Sequence, residues 1–156
     1  MENPVGFDFE TVCVSWKVRE TSARRQQNAK IEVSLKEDFS EILWEKEGKD
    51  LNSAAEKLEF TRSAYTRYYV RVTVTSDEGE TAVSKPAYFE TGKMDDPWMG
   101  KWITTKKEDT FHPLFIKNFE VKKKPASARL YICGLGLFEA KLNGKKIGEE
   151  VLTPYY

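Results

Sequence analysis

Strict alternation of side-chain character between Tyr68 and Thr75 is the feature that most narrows what this chain can become. Tyr68, Val70, Val72 and Val74 share one face of an extended backbone, and Tyr69, Arg71, Thr73 and Thr75 share the other. Only a strand sorts residues with a period of two, so this stretch is a half-buried β-strand. The pattern recurs. Val12, Val14, Trp16 and Val18 alternate with Cys13, Ser15, Lys17 and Arg19, and Ile31, Val33 and Leu35 alternate with the outward Glu32 and Ser34. Ile42–Trp44, Lys57–Phe60, Thr81–Val83 and Ala87–Glu90 read as shorter strands, with a turn at Asp77, Glu78 and Gly79. Leu51–Leu58 is the one stretch with helical character, short and uncapped at its far end. Several short strands with frequent turn signals predict an antiparallel β-sandwich over residues 1–92.

Residues 93–97 bring together Lys93, Met94, Asp95, Asp96 and Pro97 directly after Gly92, a composition suited to a linker. A second all-β block, residues 98–156, opens with Trp98 and Trp102. Leu114–Val121 alternates again, and Ala128–Pro154 reads as strand, Gly134-Leu135-Gly136 break, strand, Asn143-Gly144 turn and third strand. Asn-Gly between apolar positions is a strong hairpin signal, because both residues tolerate positive φ. This block stops before a compact sheet is complete, which predicts unpaired strand edges. Such edges are expected to be hidden against the first block or by strand exchange in a homodimer.

Composition excludes several function classes. Among 156 residues, 25 basic and 25 acidic side chains cancel, so no net field draws the chain to nucleic acid or anionic lipid. No apolar run approaches the roughly 18–20 residues that cross a bilayer. The first residues carry no secretory signal, which favours a cytoplasmic location over a secreted one, although a trimmed secreted chain fits too. Cys13 and Cys133 fall in different blocks and are expected as small buried hydrophobes without a disulfide between them. His112 is the sole histidine and no cysteine spacing suits zinc, so neither a metal site nor a cofactor is expected. Asp95-Asp96 and Glu149-Glu150 read as solvated acids, and Arg24-Arg25 and Lys122–Lys124 as solvated turn residues lacking an aromatic platform. Gly134-x-Gly136 precedes a strand rather than a helix, so close packing or a bulge explains it better than a phosphate cradle.

The stretch Leu58–Glu80, in which a leucine and then Tyr68 precede a V-x-V strand, resembles a fibronectin type III domain. The chain as a whole resembles the N-terminal part of bacterial α-L-rhamnosidases. The residues that carry this are Asn3-Pro4-Val5-Gly6, Ser15-Trp16-Lys17, Tyr68–Val72, Phe89–Gly92, Lys101–Ile103, Pro113–Phe115 and the Ala128–Pro154 segment, in that order. Ile116 and Val83-Ser84 depart locally from the pattern. The resemblance implies an all-β chain: a fibronectin-type-III-like sandwich followed by a truncated galactose-binding-like jelly roll.

It also implies that the chain serves a larger enzyme that removes terminal α-L-rhamnose from glycosides. In that family two carboxyls in an (α/α)6 barrel work with inversion, about 6.5–9.5 Å apart to admit a water. That barrel lies C-terminal to these residues, so no catalytic residue is assigned here. Rhamnose-containing glycosides are then partners of the whole enzyme. Two other function classes remain: a stand-alone carbohydrate-binding module and a fibronectin-type protein-interaction module. For sugar binding, Trp44, Trp98, Trp102, Tyr155 and Tyr156 are the candidates, since they lie outside the cleanest core faces. Packing of Trp98 and Trp102 between the two blocks is the plainer reading of those two.

Overall fold

The computed structural model describes residues 4–6, 10–106, 112–126 and 128–149. The chain divides into two compact units, Met1–Lys101 and Trp102–Tyr156. Every regular element among the described residues is a strand: β1 (Val5–Gly6), β2 (Cys13–Val14), β3 (Gln26–Ser34), β4 (Ile42–Gly48), β5 (Glu56–Lys57), β6 (Arg67–Ser76), β7 (Thr81–Val83), β8 (Ala87–Thr91), β9 (Lys141–Leu142) and β10 (Lys145–Lys146).

The first unit is built on a sheet in the order β1-β8-β6-β3-β4, with β7 also paired to β6. All its pairings are antiparallel except β1 with β8, which is parallel. A second, two-stranded sheet pairs β2 with β5, extended by Leu58 N–H donating to Val12 O at 2.9 Å and Trp16 N–H donating to Ser53 O at 3.0 Å. The core lies between the two sheets. Ala29, Ile31 and Val33 of β3 meet Tyr68, Val70, Val72 and Val74 of β6, together with Leu58 and Phe89. Val12, Val14 and Trp16 close it from the smaller sheet's side, so that alternation was read on the correct face. An aromatic row crosses this core: Trp44–Phe60 at 6.1 Å, Phe60–Tyr68 edge-on at 5.3 Å, and Tyr68–Phe89 stacked at 5.2 Å.

Several expectations need correction. Leu51–Leu58 is not helical. Asn52 Oδ1 accepts from Ala54 N–H at 3.0 Å and Asn52 O from Ala55 N–H at 3.2 Å, an Asx turn that competes with helix start. Glu56 and Lys57 then join β5, which ends before Leu58. Regular strand in the Val12–Val18 stretch is confined to Cys13–Val14, and Val18 is 44% exposed. Glu32 is on the outer face as expected but is buried, as is Ser34, because β3 is an interior strand whose outer face is covered, whereas Leu35 lies exposed past its end. Both cysteines are free, as expected, but exposed rather than buried, since Cys13 lies on the outward face of β2.

In the second unit the Asn143-Gly144 turn forms as expected, with φ of 50° and 78° joining β9 to β10. Glu139 clasps this hairpin through Lys141 at 3.0 Å and Lys146 at 3.8 Å. Gly134 is required by packing: a Cβ there would sit 2.6 Å from the Phe138 ring. The described parts of Leu114–Val121 and Ala128–Cys133 form no ladder. An alternating segment becomes a strand only when a neighbour takes its backbone groups, and without one Leu114, Ile116 and Leu135 remain 84%, 77% and 87% exposed.

Tyr68 ties the sandwich to the loop that precedes β6, its hydroxyl accepting from Ser63 N–H at 2.7 Å. The arrangement matches the tyrosine corner of immunoglobulin-type sandwiches. Tyr68→Phe is expected to lower unfolding free energy by about 1–2 kcal/mol in urea titration, with strand content unchanged. A loss near zero would show that the corner bond is dispensable.

Candidate functional site

Of the sequence-derived aromatic candidates, Trp44 and Trp98 belong to the first unit and lie on different parts of it. Trp44 stands half-buried on β4, an edge strand, as the first ring of the core row. Trp98 follows the exit of β8, which β6 and β3 separate from β4 in the sheet, and is 46% exposed. Trp102 belongs to the second unit and is 70% exposed. Tyr155 and Tyr156 lie outside the described residues.

The exit from the first unit is clamped tightly. Thr91 Oγ1 donates to Ser63 O at 2.6 Å and accepts from Thr66 N–H at 2.9 Å, while Thr91 N–H donates to Thr66 O at 2.9 Å. Gly92 donates to Gly6 O, and its carbonyl accepts from Tyr65 N–H at 2.8 Å. Lys93 is buried; its ammonium donates to Met94 O at 3.0 Å and to Asp96 O, and lies 5.8 Å from the Trp98 ring centre. A stretch whose composition suggested a linker therefore opens with a turn, Lys93–Asp96, closed on itself by the Lys93 ammonium directly after the clamp at Thr91 and Gly92. The missed signal is Lys93 itself, a cation able to collect successive carbonyls of a turn.

The outer face of the large sheet carries the densest charge. The β3–β6 register sets Glu32 opposite Arg71, and the guanidinium reaches both carboxylate oxygens, at 2.6 and 3.2 Å. Phe39 lies buried at a positive φ of 54°, with the Arg71 guanidinium carbon 4.4 Å from its ring centre. Lys30 joins through Glu45 at 2.9 Å and Glu32 at 3.5 Å. Arg67 bonds Glu90 at 2.6 Å and stacks 4.3 Å from the Tyr88 ring centre. On the inner side, Lys46 of β4 bonds Glu56 of β5 at 2.8 Å, linking the two sheets, and Glu56 also accepts from Asn52 N–H at 2.8 Å. Alternation placed Arg71 outward correctly but could not reveal its partner, which is 39 residues away in sequence.

These partners hold the carboxyls low. Arg71's hydrogen bond, opposed by burial, draws Glu32 below the ordinary glutamate value, and Lys46 does the same for Glu56. Ser40 amide bonding lowers Asp38, and Lys141 lowers Glu139. Each of these acids is held as a stable anion. A glycosidase general acid needs the opposite, a carboxyl kept protonated near neutral pH. No group of three metal-ligating side chains occurs among the described residues.

Fold and charge pattern together define an immunoglobulin-type β-sandwich whose displaced carboxylates serve structure. Over residues 1–95, more than half its length, the chain matches the family described as Rha78A-like, N-terminal immunoglobulin domain, and it belongs to that family. Residues 123–156 match the α-L-rhamnosidase N-terminal domain family. An α-L-rhamnosidase of Formosa agariphila is 29% identical, over 97% of this chain and 19% of its own length. A second from that organism is 32% identical over 44% of this chain and 9% of its own. The chain thus spans about a fifth of the length of the first of these relatives. The α-L-rhamnosidase of Streptomyces avermitilis, solved with L-rhamnose, superposes with a TM-score of 0.60 at 24% identity, over 67% of this chain and 11% of that one. That of Dictyoglumus thermophilum gives 0.57 at 28% identity, over 68% and 13%. The all-β sandwich and the rhamnosidase resemblance expected from sequence both hold.

A carboxylate lowered on folding stabilises the fold fully above its ordinary value, 4.5 for Glu32, and loses that contribution as pH falls through the lowered value. Denaturation midpoints should therefore decline as pH drops below 4.5, and Glu32→Gln should flatten that decline while lowering stability at neutral pH. Equal acid slopes in the two proteins would remove Glu32 from the account.

Proposed function

We propose that this chain is a non-catalytic N-terminal accessory part of an α-L-rhamnosidase, an enzyme acting on rhamnose-containing glycosides through a catalytic domain outside these residues. The observation that carries the reading is the ordered match to two rhamnosidase N-terminal families within a chain one-fifth as long as its relative. The depressed carboxylates support it, because none of them is poised to protonate a glycosidic oxygen. The accessory role is structural: the chain supports the catalytic domain and takes no part in the chemistry. The domain limits that go with this reading are 1–92 and 98–156, joined by 93–97.

Hydrolysis of a chromogenic α-L-rhamnoside tests it. This chain alone is expected to be inactive, and a chain extended through the downstream coding sequence active. Turnover by the chain alone, or none by the extended protein, would overturn the proposal.

The exposed Leu114, Ile116 and Leu135 side chains further favour self-association of the isolated chain through its second unit. Sedimentation should show a concentration-dependent dimer that Leu114→Lys with Ile116→Lys weakens. A monomer at every concentration would end that idea.

A further inference from the structure

The turn that closes the hairpin of the second unit carries a chemistry of its own. Asn143 and Gly144 connect β9 to β10 with φ of 50° and 78°, and both are exposed. Positive φ at both central residues makes this a type I′ turn. An asparagine side chain is an amide electrophile, and the nucleophile next to it in sequence is the backbone nitrogen of the following residue. Gly144 has no Cβ to shield that nitrogen, and the space where a Cβ would stand is open to 4 Å.

The other described asparagines are held away from such a reaction. The Asn28 amide donates to Glu47 Oε1 at 2.7 Å from within the interior strand β3. Asn52 Oδ1 accepts from Ala54 N–H at 3.0 Å, and Ser53 follows it. Asn118 is followed by Phe119, a bulky neighbour for the attacking nitrogen. The Asn143 side chain makes no hydrogen bond among the described residues. Its reaction requires the turn to open, because a closed type I′ turn keeps the nitrogen and the side-chain carbonyl apart. Opening is easy here: β9 and β10 have two residues each and form a two-stranded sheet. Ile147 N–H donating to Ala140 O at 2.9 Å and the surface pairs of Glu139 with Lys141 and Lys146 support it. A hairpin of that size is marginal in water, and surface ion pairs add little.

We propose that Asn143 is a modification site at which the backbone of Gly144 converts the side-chain amide to an acid. The Gly144 nitrogen gives its proton to solvent and bonds to Asn143 Cγ. The Cγ–Nδ2 bond breaks and ammonia leaves, which closes a cyclic imide. Water then opens the imide at either carbonyl. Attack at Cγ gives aspartate, and attack at the main-chain carbonyl gives isoaspartate, whose backbone runs through Cβ. Either product places a carboxylate in the turn. Isoaspartate also adds a methylene to the main chain, which the two-residue turn cannot absorb while Lys145 stays opposite Leu142. The turn is a slow one-way switch, independent of the rhamnosidase reading.

The test is incubation of the whole chain in mildly alkaline buffer, with and without urea, followed by peptide mass spectrometry that separates isoaspartate from aspartate. In the native chain Asn143 is expected to convert at a rate within about tenfold of that in urea, because the opening it needs is local. Both acids should form, with isoaspartate in excess, while Asn28 and Asn52 of the native chain stay intact over the same period. Nuclear Overhauser contacts between Leu142 and Lys145 should vanish in the isoaspartate product and persist in Asn143→Asp. An intact Asn143 in a native chain whose urea-treated counterpart has converted would overturn the proposal. So would aspartate as the sole product, conversion of Asn28 or Asn52 as fast as Asn143, or Leu142–Lys145 contacts that survive in the isoaspartate product.

Discussion

The pairing of β3 with β6 is the constraint on which the first unit depends. It runs from Gln26 opposite Ser76 to Ser34 opposite Tyr69. Side chains alternate with period two, and this register brings Ala29, Ile31 and Val33 to the same side as Val70, Val72 and Val74. A slip by one residue would turn the apolar row of the slipped strand away from the core. The same register places Glu32 directly opposite Arg71, where the guanidinium grips both carboxylate oxygens. A slipped sheet would strand each charge against a neutral neighbour. The ion pair therefore acts mainly on specificity: desolvation offsets much of its attraction, yet the wrong register loses the attraction and retains part of the cost.

Around that pair the remaining elements close the core by side chain as much as by ladder. The smaller sheet has only two residues in each strand, too few to hold itself together. It is attached by particular groups: the Lys46–Glu56 bond, the Trp16–Gln26–Leu51 relay and the row from Trp44 to Phe89. Each bond joins residues remote in sequence or in different sheets.

This explains what could be read in the sequence and what could not. Alternation in Tyr68–Thr75 identified the core face of β6, and Leu58 and Tyr68 are both buried as the fibronectin-type pattern implies. The Asn143-Gly144 hairpin was legible because a turn is a local event, specified by the φ values its own residues tolerate. Leu51–Leu58 misled because its periodicity takes no account of the Asn52 side chain, which captures the backbone first. Glu32 and Lys93 misled in the opposite way: their residue type argues for exposure, and both are buried because partners supplied by the fold satisfy their charge. Trp16 was assigned to the core correctly.

The distribution of charge shows which side chains hold this domain in register. A paired charge on a sheet face has little attraction left for a ligand, since its field ends on its partner. By that criterion the outer face, dense as it is in Arg, Glu and aromatic rings, is committed to holding strands in register and over Phe39. The segment Trp16–Arg19 divides by the same criterion. Trp16 is committed to the core and, through Gln26, to Leu51, so it serves the fold as the paired charges do. Lys17 and Arg19, like Arg24, Arg25, Lys49, Lys57 and Lys85, make no ion pair among the described residues, and charges of that kind contribute to solvation of the surface and not to register.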